Sequence, residues 1–372
     1  MWKIYSTSAS ISGEGEVGVT RGAQTTDEVI GYMLIYVDDA MVIGSTPLVE
    51  TVFDVYKSIW DVKVTGIIVA DGATTEHAVP VIRFLGCSLK RKDKGYTLDQ
   101  IDYIEERLLE RGYDKVAGKK NLPDVQEGKT YPVNRCDPSY AEDLLKCQGE
   151  AGVLNWIALR SRPDISCVVS TCASMMTINP METMNHIRGI WRYLAATKNE
   201  VLTFSGEGTS THMTIAADAS FCPGGDRSRT GIVILWMGMV VHWMCKKQTL
   251  ATLSSCEAEL SASVHGLKMG LGIRSVAEEL IGRVRLELHG DNMAMIQTIL
   301  HEVTSWRSRH YAVRAAWARD TVKDQEVDLK HVPGTEIVAD PLTKILAGPE
   351  LPKARRKLGM IDINGSDPIE MG

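Results

Sequence analysis

No two of the eight cysteines form a C-x-x-C pair. Cys87, Cys136, Cys147, Cys167, Cys172, Cys222, Cys245 and Cys256 are scattered, which argues against a structural zinc site or a dithiol redox motif and suggests free thiols in a reducing compartment. The N-terminal stretch MWKIYSTSAS has no apolar centre, so it does not read as a secretory signal. Nor is any apolar run long enough to cross a bilayer. The longest, GIVILWMGMVVHWM (231–244), carries Gly238 in its middle and reads as a buried β-hairpin. Excess positive charge is also missing. A formal net charge of −6 excludes a generally cationic coat for nucleic acid, although not a local basic groove. What is present is a globular composition, 44% hydrophobic and 24% charged, on 372 residues, enough for about two or three domains.

The chain reads as three regions and a tail. Residues 1–95 are strand-rich: YMLIYV, AMVIG, VKVTGIIVA and VIRFLGCSLKR are short β-type runs broken by turn residues. Residues 96–205 are mostly helical. TLDQIDYIEERLLERG opens on Thr97 and Gln100 at capping-box spacing and stops at Gly112. Two further amphipathic helices, AEDLLKCQGEAGVLNWIAL and NPMETMNHIRGIWRYLAATKN, flank a break at SRPDIS, where Pro163 disfavours helix at Arg162. From 206 to 345 the order is β, β, β, α, β, α, α, β, α, with EIVADPLTKIL as the last helix. Residues 346–372 are polar and are expected to form a loose tail. The fold class expected is mixed α/β.

Several acids sit at element ends in the third region. Asp218 closes the strand THMTIAADAS, Asp291 follows the strand VRLELHG, and Asp340 lies near the start of the last helix. Ligand sites in α/β sheets gather at strand ends, so these groups can converge, although each alone can equally be a cap or a solvated charge. The long helix offers two more acids. Ser254 and Glu257 have the S-x-x-E spacing of a capping box, which gives Glu257 a structural task. Glu259 has none, and it heads a stripe of small residues, Ala262, Ser263, Gly266 and Gly270, that can press closely on a sheet. Glu259 is therefore the expected fourth acid.

ADASF, SSCEAELSA, HGDNMAMI and VADPLTK, in this order over about residues 212–345, resemble the ribonuclease H domain of copia-type LTR retrotransposon polyproteins. The resemblance places the active-site acids on Asp218, Glu259, Asp291 and Asp340, the same choice of Glu259 over Glu257. It implies hydrolysis of the RNA strand of an RNA–DNA hybrid, read by duplex shape and 2′-hydroxyl contacts rather than base sequence. Carboxylates are hard ligands suited to Mg²⁺, with Mn²⁺ a possible substitute, and two ions about 4 Å apart would serve an in-line displacement. Many such domains carry a histidine in a loop before the last acid. Here His331 stands on the strand instead, and reads as a strand residue rather than a proton shuttle. Lys246, Lys247, Arg309 and His310 are candidates for phosphate contact, although lone basic residues are usually just solvated.

The first half resembles the same kind of polyprotein. In YMLIYVDDAMVIGS (32–45), Asp38 and Asp39 suit a hairpin turn on their own account. With Tyr36 they also resemble the Y-x-D-D motif of a reverse transcriptase palm. RFLGCSLKR resembles the hairpin that follows it, TLDQIDYIEERLLERG the thumb, and SRPDIS with HIRGIWRYLAATKN the connecting helices. A palm needs a third carboxylate from an earlier strand. The upstream acids Glu14, Glu16, Asp27 and Glu28 lack a matching context. The expectation is therefore a C-terminal part of such a polyprotein with a complete ribonuclease H site and an incomplete polymerase. The alternatives are a non-catalytic nucleic-acid-binding remnant and a polymerase whose missing part comes from the remaining polyprotein segments. The partner expected is an RNA–DNA hybrid, with no membrane.

Overall fold

The computed structural model describes residues 2–5, 29–70, 72–126, 128–205, 211–222, 225, 227–301 and 311–364. The chain divides into two compact units, 1–91 and 92–372. In the first, β1 (Trp2–Tyr5), β2 (Val29–Tyr36) and β3 (Asp39–Gly44) form an antiparallel sheet in that order. The two-residue turn Val37–Asp38 joins β2 to β3, with Tyr36 paired to Asp39. Val37 has φ 52°, a left-handed conformation that strains a β-branched residue. Helix α1 (Thr46–Ile59) follows, a helix where the sequence pattern suggested only strands. Pro47 opens it, and Leu48, Val49, Val52, Phe53 and Tyr56 recur at helical spacing. VKVTGIIVA, expected as a strand, contributes only a single bridge between Ile67 and Ala78. The hairpin of β4 (Val81–Phe84) and β5 (Cys87–Lys92) is present.

The second unit opens with β6 (Gly95–Asp99) and α2 (Ile101–Glu110). Thr97 is buried within β6, so the expected Thr97/Gln100 capping box is not there. Asp99 Oδ1 instead accepts from Ile101 N at 3.0 Å. Gly112, at φ 69°, ends the helix as expected. Helices α3 (Tyr140–Arg160), α4 (Ser166–Met175) and α5 (Pro180–Thr197) pack around Leu154, Ile157, Ile165, Val168, Ile190 and Trp191. Pro163 starts a short 3-10 turn, Pro163–Ile165, between α3 and α4.

Strand β7 (Glu200–Phe204) pairs with β6 and leads to a five-stranded sheet. Its members are β8 (His212–Ser220), β9 (Arg229–Trp236), β10 (Met239–Lys247), β11 (Arg285–Gly290) and β12 (Val327–His331), in the order β10-β9-β8-β11-β12. The first three strands are antiparallel; β11 lies parallel to both β8 and β12. Met237 and Gly238 form the β9–β10 turn with φ 54° and 78°, the primed turn that a two-residue hairpin favours. Helices α6 (Ser255–Ile281), α7 (Met293–Leu300) and α8 (Ala312–Asp324) complete the region. Both faces of the central strands β8 and β9 are buried. Ile215, Ala217, Ile232 and Ile234 meet the α6 side, while Ala216 and Val233 meet a second core with Ile337 and Leu342.

The helices of 96–205 and the five-stranded sheet lie in one compact unit, and Trp243 Nε1 of β10 donates to Ala158 O of α3 at 2.7 Å. Two expectations need correction here. The last helix is only a 3-10 turn, Asp340–Leu342, because Pro341 cannot donate and disfavours helix at the residue before it. The stretch expected to be loose from 346 holds α9 (Glu350–Lys357) and β13 (Met360–Asp362), and β13 pairs with β7. Leu351, Ala354 and Leu358 form an apolar stripe that the surrounding charges hide in the sequence. Residues 365–372 lie outside the described residues.

Candidate active site

Parallel pairing of β8 with β11 brings their C-terminal ends side by side, with His289 opposite Ala216. Asp218 is the second residue beyond that pair on β8, and Asp291 is the first residue past β11. Asn292 then caps α7, its side chain accepting from Met295 N at 2.9 Å. On α6 the two glutamates divide as their spacing implies. Glu257 serves the helix start: Ser254 Oγ accepts from Glu257 N at 3.2 Å, and Glu257 Oε2 accepts from Leu253 N at 2.8 Å. Glu259 faces the strand ends. Its stripe presses on the sheet so closely that a Cβ on Gly266 would stand 2.8 Å from Ile215 Cγ2, and one on Gly270 would overlap the same side chain.

Asp218, Glu259 and Asp291 can each present one oxygen so that all three lie within 4.8 Å of one another. Asp218 and Glu259 are buried. Burial, followed by the charges of Asp218 and Asp291, pushes the Glu259 carboxyl up to about 9. Burial also raises Asp218, with Asp291 and Asp340 adding to the effect and a hydrogen bond from Thr343 opposing it. Glu259 Oε2 is buried with no hydrogen-bond partner. A buried, unpartnered oxygen facing two further carboxylates fits a hard divalent cation, which would supply the missing partner and remove the like-charge repulsion.

Asp340 stands outside that group of three. It is linked to it through the 3-10 turn, where the Thr343 hydroxyl is shared between Asp218 Oδ2 and the Asp340 carbonyl. Lys344 Nζ lies 2.5 Å from Asp340 Oδ1. The turn fits against β9 only because residue 231 has no side chain. A Cβ there would lie 2.8 Å from Thr343 Cγ2 and 2.9 Å from both Ala339 O and Leu342 Cβ. Gly231→Ala is expected to destabilise by about 1–3 kcal/mol through overpacking, read as a lowered urea midpoint with unchanged slope.

Other candidate residues are placed as follows. His331 ends β12, exposed, with Nε2 3.1 Å from the Asp291 carbonyl. Lys246 and Lys247 end β10, at the same sheet end as Asp218 but two strands, roughly 10 Å, away. Arg309 and His310 lie outside the described residues. In the first unit Tyr36, Asp38 and Asp39 are all exposed at the β2–β3 turn. Among the described residues no third carboxylate is grouped with Asp38 and Asp39. Thr343 and Lys344 are the members of the site that sequence reasoning missed. Their signal was their place directly after Asp340 in ADPLTK.

Five strands in this order and direction, with carboxylates at the adjoining ends of β8 and β11 and on α6, define a mixed α/β region with an acidic group at one end of its sheet. No family model matches the sequence. The retrovirus-related Pol polyprotein from transposon TNT 1-94 of Nicotiana tabacum is 25% identical over 338 residues, covering 88% of this chain. That from transposon RE1 of Arabidopsis thaliana is 27% identical over 336 residues, covering 89%. The chain is thus similar, over nearly its whole length, to the Pol polyproteins of plant copia-type transposons. It spans 24% and 22% of the length of these two relatives. Among solved structures, a foamy viral protease-reverse transcriptase in complex with RNA/DNA hybrid aligns with 81% of this chain and 36% of its own, at 14% identity and TM-score 0.44. An RNase H1 isolated from compost aligns with 39% of this chain and 98% of its own, at 16% identity and TM-score 0.29. Among the described residues no helix is long and apolar enough to cross a membrane.

Proposed function

We propose that the region 206–345 hydrolyses the RNA strand of RNA–DNA hybrids with Mg²⁺, or Mn²⁺ in its place, held by Asp218, Glu259 and Asp291, with Asp340 at the rim of the same site. The observation that carries this reading is the convergence of three carboxylates on one point with Glu259 Oε2 buried and unpartnered. When bound, divalent ions would activate water and stabilise the departing oxygen of an in-line displacement. The protein's own part is positional. Thr343 fixes one oxygen of Asp218 and leaves the other for ligation. Glu259, which holds its proton at neutral pH without a cation, gives it up when one binds. The tight seat of α6 on β8, through Gly266 and Gly270, keeps Glu259 at a fixed depth. Lys246 and Lys247, at the same sheet end, suit phosphates of a bound duplex.

Among the described residues no third carboxylate joins Asp38 and Asp39, so the proposal does not extend to template-directed synthesis. Relatives named as Pol polyproteins support a nucleic-acid-processing role. The test is a labelled RNA–DNA hybrid incubated with the purified chain and Mg²⁺. Cleavage is expected, and Asp218→Asn should lower it at least about a hundredfold, the scale on which lost electrostatic stabilisation acts. A silent wild-type protein, or equal cleavage by the variant, would overturn the assignment.

A further inference from the structure

Lys344 is the one described cation that the structure shows ion-paired to an acid of the site. Its ammonium lies 2.5 Å from Asp340 Oδ1, one helical turn away in sequence, and Thr343, which lies between the two in sequence, donates to Asp218. The Lys344 side chain is 59% exposed and that of Asp340 24%, so the lysine can swing away while the carboxylate stays. The carboxylate stays because its backbone is pinned: Pro341 fixes the turn, Lys344 N donates to the Asp340 carbonyl at 3.2 Å, and Gly231 admits the turn against β9.

We propose that Lys344 is a tethered counter-ion that competes with divalent cations for Asp340, and so sets how readily the site takes an ion beyond the one that Asp218, Glu259 and Asp291 hold. The inference rests on the metal-dependent reading above. An ammonium is a compact monovalent cation with three donors, and it neutralises one carboxylate without dehydrating a metal. Mg²⁺ dehydrates reluctantly and binds through one or two carboxylates with several waters kept. An ion that ligates Asp340 competes with Nζ for the charge of that carboxylate, and a lysine displaced from Oδ1 stays within reach of it. The hydrogen bond to Asp340, and after it the charges of Asp340, Asp218 and Asp291, favour the charged form of Lys344. This makes Lys344 a positioning residue that acts through Asp340.

Calorimetric titration of Mn²⁺ into the full chain, without nucleic acid, tests this. Lys344→Gln removes the charge and should tighten the weaker binding event by about twofold to fivefold, the scale of a half-exposed ion pair lost as a competitor. Lys344→Arg keeps the charge and should leave that event unchanged or weaker. Lys353→Gln, which removes a lysine paired with Glu350 on α9, should bind as wild type and controls for net charge. Lys344→Met repeats the test with an apolar side chain. The inference fails if Lys344→Gln and Lys344→Met bind Mn²⁺ like the wild type, or if Lys353→Gln matches them. An ion bound by the wild type and lost in Asp218→Asn, with Lys344→Gln unchanged, sinks the lysine's role and leaves the hydrolytic reading standing. A wild-type chain that binds no Mn²⁺ sinks both.

Discussion

Glu259→Gln is expected to stabilise the ion-free protein while abolishing hybrid cleavage. The carboxyl sits at about 9 in the fold, against 4.5 for an ordinary glutamate. Below about pH 4.5 both folded and unfolded chains hold the proton, and the site costs nothing. Above it the unfolded chain releases the proton and the folded chain keeps it, so stability falls with rising pH until about 9. At roughly 1.4 kcal/mol per unit, the ion-free wild type should lose up to about 4 kcal/mol between pH 5 and 8. Asp218, also raised by burial, pushes in the same direction. Glutamine does not titrate, so the variant's profile should flatten, as urea unfolding in a chelator at the two pH values would reveal. Mg²⁺ should restore the wild type at pH 8 and do little for the variant. A variant whose stability follows the wild-type profile would show that Glu259 is not the strained group.

Asp164→Asn should cost about 3–5 kcal/mol, the largest loss expected away from the acids. Arg162 is fully buried and pairs with Asp164 through two bonds of 2.8 and 2.9 Å. Tyr193 donates to the same carboxylate at 2.5 Å, and Arg162 also donates to Thr197 O and Oγ1. Arg355 of α9 then donates to the Tyr193 hydroxyl at 3.2 Å and pairs with Glu200 of β7 at 3.0 Å. Neutralising Asp164 removes the one carboxylate that, among the described residues, is hydrogen-bonded to the Arg162 guanidinium, and leaves its buried charge to the Thr197 oxygens and the charge of Glu200. Urea denaturation gives the value directly. Lys146→Gln breaks a pair of similar length, 2.6 Å, but in open solvent, and should leave the midpoint where it was. Equal effects of the two substitutions would mean that burial does not govern this network.

Much of the site was legible because local rules place its members. Asp218 and Asp291 end alternating strands, and Glu257 is removed from contention by Ser254, which leaves Glu259 at the head of a stripe of small residues. Those rules act within a few residues. The bond from Thr343 to Asp218 joins positions 125 apart, and nothing local marks it. Lys344 follows Asp340 in the chain, but its pairing depends on the turn that Pro341 imposes in place of the expected helix. In the rest of the fold, helix α1 was hidden by a composition that also suits strands. Thr97, at capping-box spacing from Gln100, was drawn into a strand because β7 and β13 build a sheet there. Their pairing partners lie far away in sequence, so neither strand had a local signature.

Strand β13 and helix α9 have a consequence for how the chain is made. Thr203 bonds Gly359 across 156 residues, and Arg355 completes a charge network begun at Arg162. The helical layer of the second unit therefore waits for segments 156 and 162 residues further along the chain before its buried charges are fully paired. Such long-range closure is slow, and it leaves the nascent intermediate with an open sheet edge on β7. A chain cut just before α9 would keep every carboxylate of the candidate site, yet it would lack the strand that seals β7 and would be the form more prone to aggregate.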